Sequence, residues 1–123
     1  MVDAPWFGHY TAELEHARQA RLSGNEGMAR VCARRAVGWV LGEYFTRRGI
    51  ESQNSSAYDR IKFLIEMEDV PESVKDIAGH FTLRITADHA LPIEADLIQE
   101  AQWLQKTLLD EDSGSSRPER SST

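Results

Sequence analysis

The sequence predicts an all-α fold, an antiparallel bundle of about five helices, and three observations lead to this prediction. Apolar residues recur at helical spacing in five segments, and no segment alternates as a half-buried strand would. Short polar links separate the segments. The chain has 123 residues, of which 41% are hydrophobic and 28% are charged. These values fit one ordinary globular domain with a modest core.

The first two predicted helices are joined by a polar, glycine-containing link. Thr11 is the predicted N-cap of the first helix, which ends near Leu22. Asn25 is the predicted cap of a longer second helix over residues 26–48, and Gly49 is its C-terminal stop. The pattern therefore predicts a helical hairpin at the start of the domain.

The second helix carries a face of small residues: Ala29, Ala33, Gly38 and Gly42. Glycine in a helix interior costs about 1 kcal/mol relative to alanine. Two glycines four residues apart therefore predict that another backbone passes close by. That backbone belongs either to this chain or to a second subunit.

Three further helices complete the predicted bundle. Ser56 is the predicted cap of the third, and residues 69–72 (Asp-Val-Pro-Glu) start the fourth, with Asp69 as its predicted cap and the proline in its first turn. The fourth is expected to reach the region of Arg84, and Pro92 opens the fifth. The predicted core includes Leu14, Trp39, Leu64, Phe81 and Leu104. The domain is expected to cover residues 1–109, and residues 110–123, which contain no apolar residue, are expected to be disordered.

The charge is uneven along the chain, and it restricts the possible partners. The net charge is −6; residues 1–50 have seven arginines and five acids, or +2, and residues 51–123 have seven bases and fifteen acids, or −8. The acidic whole argues against broad, non-specific nucleic-acid binding. The arginines of the first half are suited to phosphates, although solvated helix faces with internal ion pairs would also explain them.

Other features point to a soluble protein of the cytoplasm. No apolar run is long enough to span a membrane, and no signal peptide is apparent at the N-terminus. A single cysteine, Cys32, fits a reducing compartment and is expected to be a small buried residue. No two histidines have the helical spacing of a metal pair, and no glycine-rich phosphate loop occurs. We therefore expect no metal and no cofactor.

Arg84 and His89 are the candidate catalytic pair. In RNA cleavage without a metal, arginine can hold the phosphate and histidine can move a proton at the 2′-hydroxyl or the leaving oxygen. On one straight helix these two side chains would project about 140° apart, so the helix must end or bend between them, or two subunits must each contribute one. His80 would lie one turn before Arg84 on the same face.

A simpler interpretation of the same residues is also open. Arg84 and Asp88 are four residues apart and could form an exposed ion pair, worth about 0.3–0.5 kcal/mol. His89 would then be a helix-end residue interacting with unpaired carbonyl groups.

The order of these elements resembles the HEPN family (higher eukaryotes and prokaryotes nucleotide-binding). The resemblance covers about residues 10–109. It includes the long second helix with its alanines and aromatic residues, and a fourth helix ending in an arginine followed at short spacing by a histidine, here Arg84 and His89. It implies an all-helical bundle, usually a homodimer, with this motif facing a cleft between subunits. Arg30, Arg34, His80 and Asp88 are the candidate binding residues around it.

Two functions follow from the resemblance. Many members of the family are metal-independent RNases of toxin–antitoxin or defence systems, which implies RNA or a nucleotide as ligand and an antitoxin as partner. Other members lack activity and accompany a minimal nucleotidyltransferase. The second function for this chain is therefore a non-enzymatic interaction module that docks such a partner.

Overall fold

The computed structural model describes residues 5–50, 56–82 and 96–109. Within these ranges all regular structure is helical and no strand occurs, which confirms the all-α class. None of the described helices has the length and apolar character needed to cross a membrane. The five helices are α1 (Pro5–Leu22), α2 (Glu26–Arg47), α3 (Ala57–Ile65), α4 (Glu72–His80) and α5 (Leu97–Leu109).

The first helix is longer than predicted, and the expected cap at Thr11 is wrong. α1 spans Pro5–Leu22, so Thr11 lies in its interior, where the hydroxyl donates to the carbonyl of Gly8 at 3.1 Å. The physical reason is the aromatic content of the preceding turns. Tyr10 is buried and Trp6 packs against the core, so these turns gain apolar contacts as a helix.

The second helix begins and ends close to the predicted residues. The Asn25 side chain accepts a hydrogen bond from the Met28 amide at 3.0 Å, as an N-cap does. Gly49 follows the end of α2 with a φ of 70°, a left-handed conformation that glycine adopts without steric cost. α2 packs against α1, α3 and α5, so it is the central helix of the bundle.

The third helix confirms its predicted cap, but the fourth differs at both ends. The Ser56 hydroxyl accepts from the Asp59 amide at 3.3 Å at the start of α3. Asp69 was expected to cap α4. Instead its carboxylate pairs with Arg48, and Pro71 occupies the N-cap without a side-chain bond.

α4 also ends earlier than predicted. It stops at His80, and the amides of Phe81 and Thr82 close a tight turn on the carbonyls of Ala78 and Gly79, each at 3.1 Å. The expectation that the fourth helix continues without a break toward Arg84 is therefore wrong, and the predicted position of Arg84 relative to His80 lies outside the described residues. Phe81, which is 2% exposed, gains its burial by turning into the core at this point.

The fifth helix begins later than Pro92. Asp96 lies outside the helix, and its carboxylate accepts from the Gln99 amide at 3.2 Å, so α5 starts at Leu97. An acidic side chain at this position also complements the positive end of the helix dipole. Residues 92–95 and the predicted disordered tail, residues 110–123, lie outside the described residues.

The predicted core is largely confirmed. Leu14, Leu64, Phe81 and Leu104 are buried, and Trp39 is half-buried at the edge of the core. His9 of α1 stacks on the Trp39 ring with centroids 4.1 Å apart. Trp39 therefore joins α1 to α2 at the rim instead of filling the centre.

The small-residue face of α2 is covered by the same chain. A Cβ placed on Gly38 would lie 2.7 Å from the Cβ of Ala57 in α3, and one on Gly42 would lie 2.7 Å from the Arg60 guanidinium. Ala29 and Ala33 are buried as well. Of the two possibilities left open by the sequence, the close backbone is the chain's own α3. The homodimer stays a prediction that this face does not support.

Candidate functional site at the end of α4

His80 is the last residue of α4, and its imidazole pairs with a carboxylate from another helix. Its Nδ1 lies 2.8 Å from Oε1 of Glu100 in α5. The His80 side chain is 21% exposed, whereas the Glu100 side chain is 3% exposed. The pair therefore reaches from the core to the surface, with the carboxylate inside and the imidazole outside.

This arrangement orients the imidazole. With the carboxylate as acceptor, Nδ1 carries the proton, and Nε2 is the ring nitrogen left for a ligand or for proton transfer. A carboxylate that holds a histidine in this way fixes both its tautomer and its rotation in many acid–base sites. The pair is thus the arrangement among the described residues that is best suited to proton transfer.

Arg34 ties α2 to the same end of α4. Its Nε donates to the carbonyl of Phe81, the residue after His80, at 3.0 Å. A guanidinium has five N–H donors, so this bond leaves donors for another acceptor such as a phosphate. Arg34 is half-buried on α2, and its side chain reaches the residue that follows α4, although the two helices do not pack against each other.

Arg30 lies one helical turn before Arg34 on α2. It is 6% exposed and is one of two buried charged residues in the described part of the chain, the other being Glu100. Buried charges are rare in globular proteins unless they are paired, and these two lie on helices that pack together, α2 and α5. The structure thus brings His80 and Arg34 to one end of α4.

The catalytic pair predicted from the sequence belongs to the segment that follows Thr82. Arg84, Asp88 and His89 lie outside the described residues. In the sequence, Arg84 follows Thr82, the last described residue of this segment, by two positions. The described site therefore adjoins the predicted motif along the chain.

Glu100 is the functional residue that sequence reasoning missed. It lies between Leu97 and Ala101 at the inward positions of α5, where the apolar stripe predicts a hydrophobic side chain. A carboxylate at an inward-facing position indicates a buried polar partner. The sequence signal that could have identified this partner is the histidine at the end of α4. The two residues are 20 positions apart, so their contact required the tertiary structure.

The single cysteine is not part of this site. Cys32 is buried on α2, and burial, with a contribution from Glu13, raises the pKa of its thiol. A raised pKa leaves little thiolate, the form that reacts, so this residue is a poor nucleophile. Among the described residues, no three histidine, cysteine or acidic side chains are grouped to hold a metal ion.

Comparison with known proteins adds no relative to this picture. No family model, no curated protein and no solved structure matches the chain. The site must therefore be interpreted from its own residues.

Proposed function

We propose that the chain is an HEPN-like helical protein that binds RNA or a nucleotide at the end of α4, and that it cleaves RNA without a metal. The observation that carries the proposal is the contact of His80 with the buried Glu100, next to the residue that Arg34 holds. The sequence motif of Arg84 and His89 follows directly along the chain. An oriented imidazole and several arginines are the groups that phosphodiester cleavage requires.

Each residue has a defined role in this proposal. Arg84 binds the scissile phosphate and offsets the charge that develops on its oxygens, and Arg34 and Arg30 contribute positive potential. One histidine removes the proton from the 2′-hydroxyl, which attacks the phosphorus, and the other protonates the 5′-oxygen that leaves. His89 is one of these groups, and His80, oriented by Glu100, is suited to be the other.

The test is cleavage of labelled single-stranded RNA in the presence of EDTA. Arg84→Ala and His89→Ala should each lower the cleavage rate by roughly 10²-fold or more, the scale of a lost acid–base or charge-stabilising group. His16→Ala is the matched control, because His16 is an exposed histidine on α1, and it should keep the wild-type rate. Cleavage that survives the first two substitutions would place the active site elsewhere.

The net charge of −6 favours a second candidate function. In this alternative the chain is a non-enzymatic interaction module that pairs with a protein such as a minimal nucleotidyltransferase. An acidic surface repels RNA at long range and thus suits a protein partner better than a nucleic acid. A wild-type chain that cleaves no member of a broad RNA panel would contradict the RNase and leave this alternative.

A further inference from the structure

A cleft of about 250 Å³ lies between α1 and α5, away from the His80 site. Both helices pack on α2 but make few contacts with each other, so a groove remains between them. Gln102 lies on its wall and follows Glu100 by two residues, which places the two side chains about 160° apart around α5. The cleft therefore uses the face of α5 that the proposed RNA chemistry does not.

Two cationic side chains line the cleft in an otherwise acidic protein. Arg18 of α1 and Lys106 of α5 contribute one cation to each wall, and the described lining contains no carboxylate. The nearest acid along α1 is Glu15, whose Oε1 is 3.7 Å from the Arg18 guanidinium, and both side chains are substantially exposed. An exposed pair of this length is worth little, so Arg18 remains available to an anionic ligand.

Aromatic rings form the other part of the cleft. Phe7 is 47% exposed, and its ring lies 5.9 Å from that of Tyr10 and 5.3 Å, edge to face, from that of Trp6. These neighbours hold an exposed ring in place, which lowers the entropy cost of using it as a stacking platform. Burial raises the pKa of Tyr10 to about 12, although Arg18 opposes that rise, so the phenol is neutral at physiological pH.

The volume restricts what the cleft can hold. Sites for drug-sized ligands start at roughly 300 Å³, so a cleft of about 250 Å³ suits one ring system with one attached group. Gln102 and Gln105 add carboxamides, which donate and accept hydrogen bonds and can contact the polar edge of a heterocycle. A peptide helix or a folded RNA would not fit.

From the cation on each wall, the exposed ring and the small volume, we infer that the α1–α5 cleft binds a small molecule that combines a planar aromatic ring with an anionic group. The ring stacks on Phe7, and the anion lies between Arg18 and Lys106. Phe7 and Arg18 are 11 residues apart on α1, about 16 Å along the helix axis, so the ring and the anion must be separated by a linker, as the ribose separates them in a nucleoside monophosphate. The inference goes beyond the proposed RNA cleavage and does not depend on it.

The test is isothermal titration calorimetry of the full chain with four probes. Adenosine 5′-monophosphate has both the ring and the anion, adenosine has only the ring, ribose 5-phosphate has only the anion, and benzoate is an aromatic carboxylate without the linker. We expect adenosine 5′-monophosphate to bind about 10-fold or more tightly than each of the other three probes.

Substitutions locate the binding. Arg18→Gln and Lys106→Gln should each raise the Kd about 10-fold, and Phe7→Ala should raise it about 5-fold or more, as expected for a lost stacking contact. Arg35→Gln removes one charge from an exposed arginine outside the cleft and should leave the Kd within about 2-fold. Circular dichroism of each variant establishes that it is folded.

Three results would overturn the inference. The first is the absence of binding by all four probes at concentrations up to about 10 mM, which lies above any specific site. The second is equal affinity for ribose 5-phosphate and adenosine 5′-monophosphate, because the ring would then contribute nothing. The third is equal weakening by Arg18→Gln and Arg35→Gln, because binding would then depend on net charge alone.

Discussion

The two halves of α2 have different roles in the structure. Its C-terminal half presents Gly38 and Gly42 to α3, and the contact is so close that the Arg60 guanidinium donates to the Gly38 carbonyl at 2.8 Å. Its N-terminal half carries the buried Arg30 and also Arg34, which bonds to the residue after α4, where a buried carboxylate holds His80. The C-terminal half allows the backbone of α3 to approach closely, and the N-terminal half carries the charged side chains.

The glycine half of α2 therefore contributes mainly to stability, and the arginine half contributes mainly to the chemistry of the site. Glycines lower helix propensity, and close packing that larger side chains would prevent offsets this cost in the interior of α2. Buried charges are costly and rarely increase stability over apolar residues of the same shape. We therefore expect substitutions in the glycine half to change folding most, and substitutions in the arginine half to change function most.

The largest effect on stability is expected from Gly38→Leu. A Cβ at this position would lie 2.7 Å from the Ala57 Cβ and 3.0 Å from its Cα, neither of which moves without moving α3. We expect a loss of about 3 kcal/mol or more in the free energy of unfolding, measured by urea denaturation. Gly8→Leu is the control, since a Cβ there would meet nothing within 4 Å. Equal stability of the two variants would contradict the close contact of α2 with α3.

A smaller loss is expected from His80→Ala. It removes the 2.8 Å partner of a carboxylate that is 3% exposed, which should cost about 1–2 kcal/mol. The double variant His80→Leu/Glu100→Leu replaces both polar groups with apolar ones and should regain part of that loss. A midpoint of unfolding that does not change in His80→Ala would show that the pair contributes no interaction energy.

The smallest effect is expected from Gly42→Ala. A new Cβ would lie 2.7 Å from the terminal nitrogen of Arg60, which is the far end of a flexible side chain. The gain of about 1 kcal/mol in helix propensity should offset the strain on the Arg60 bond to Gly38, so the net change should be within about 0.5 kcal/mol. A loss as large as that of Gly38→Leu would mean that the glycine half packs as one rigid unit.

The sequence predicted the fold well where local signals and burial agree. The caps at Asn25 and Ser56, the stop at Gly49 and the buried Leu64 and Leu104 all follow from short-range patterns. The predicted ends of the fourth helix failed because tertiary contacts decided them. Asp69 pairs with Arg48, 21 residues away, and Phe81 turns into the core.

The candidate site was predicted only in part, for a physical reason. Arg34 and His80 were chosen for their chemistry, and the structure brings both to the end of α4. Glu100 was missed because sequence periodicity reports that a position faces inward but not which polar group it meets there. Arg84 and His89 keep their predicted roles, which the described residues do not test.

The most direct test of the central claim compares two adjacent arginines of α2. Arg34 bonds to the Phe81 carbonyl at the proposed site, whereas its neighbour Arg35 is exposed. Kinetics of RNA cleavage in EDTA should give Arg34→Gln a kcat/KM lower than that of the wild type by about 10-fold or more, and should leave Arg35→Gln near the wild-type value. An equal loss in both variants, or no loss in either, would contradict a functional site at the arginine half of α2.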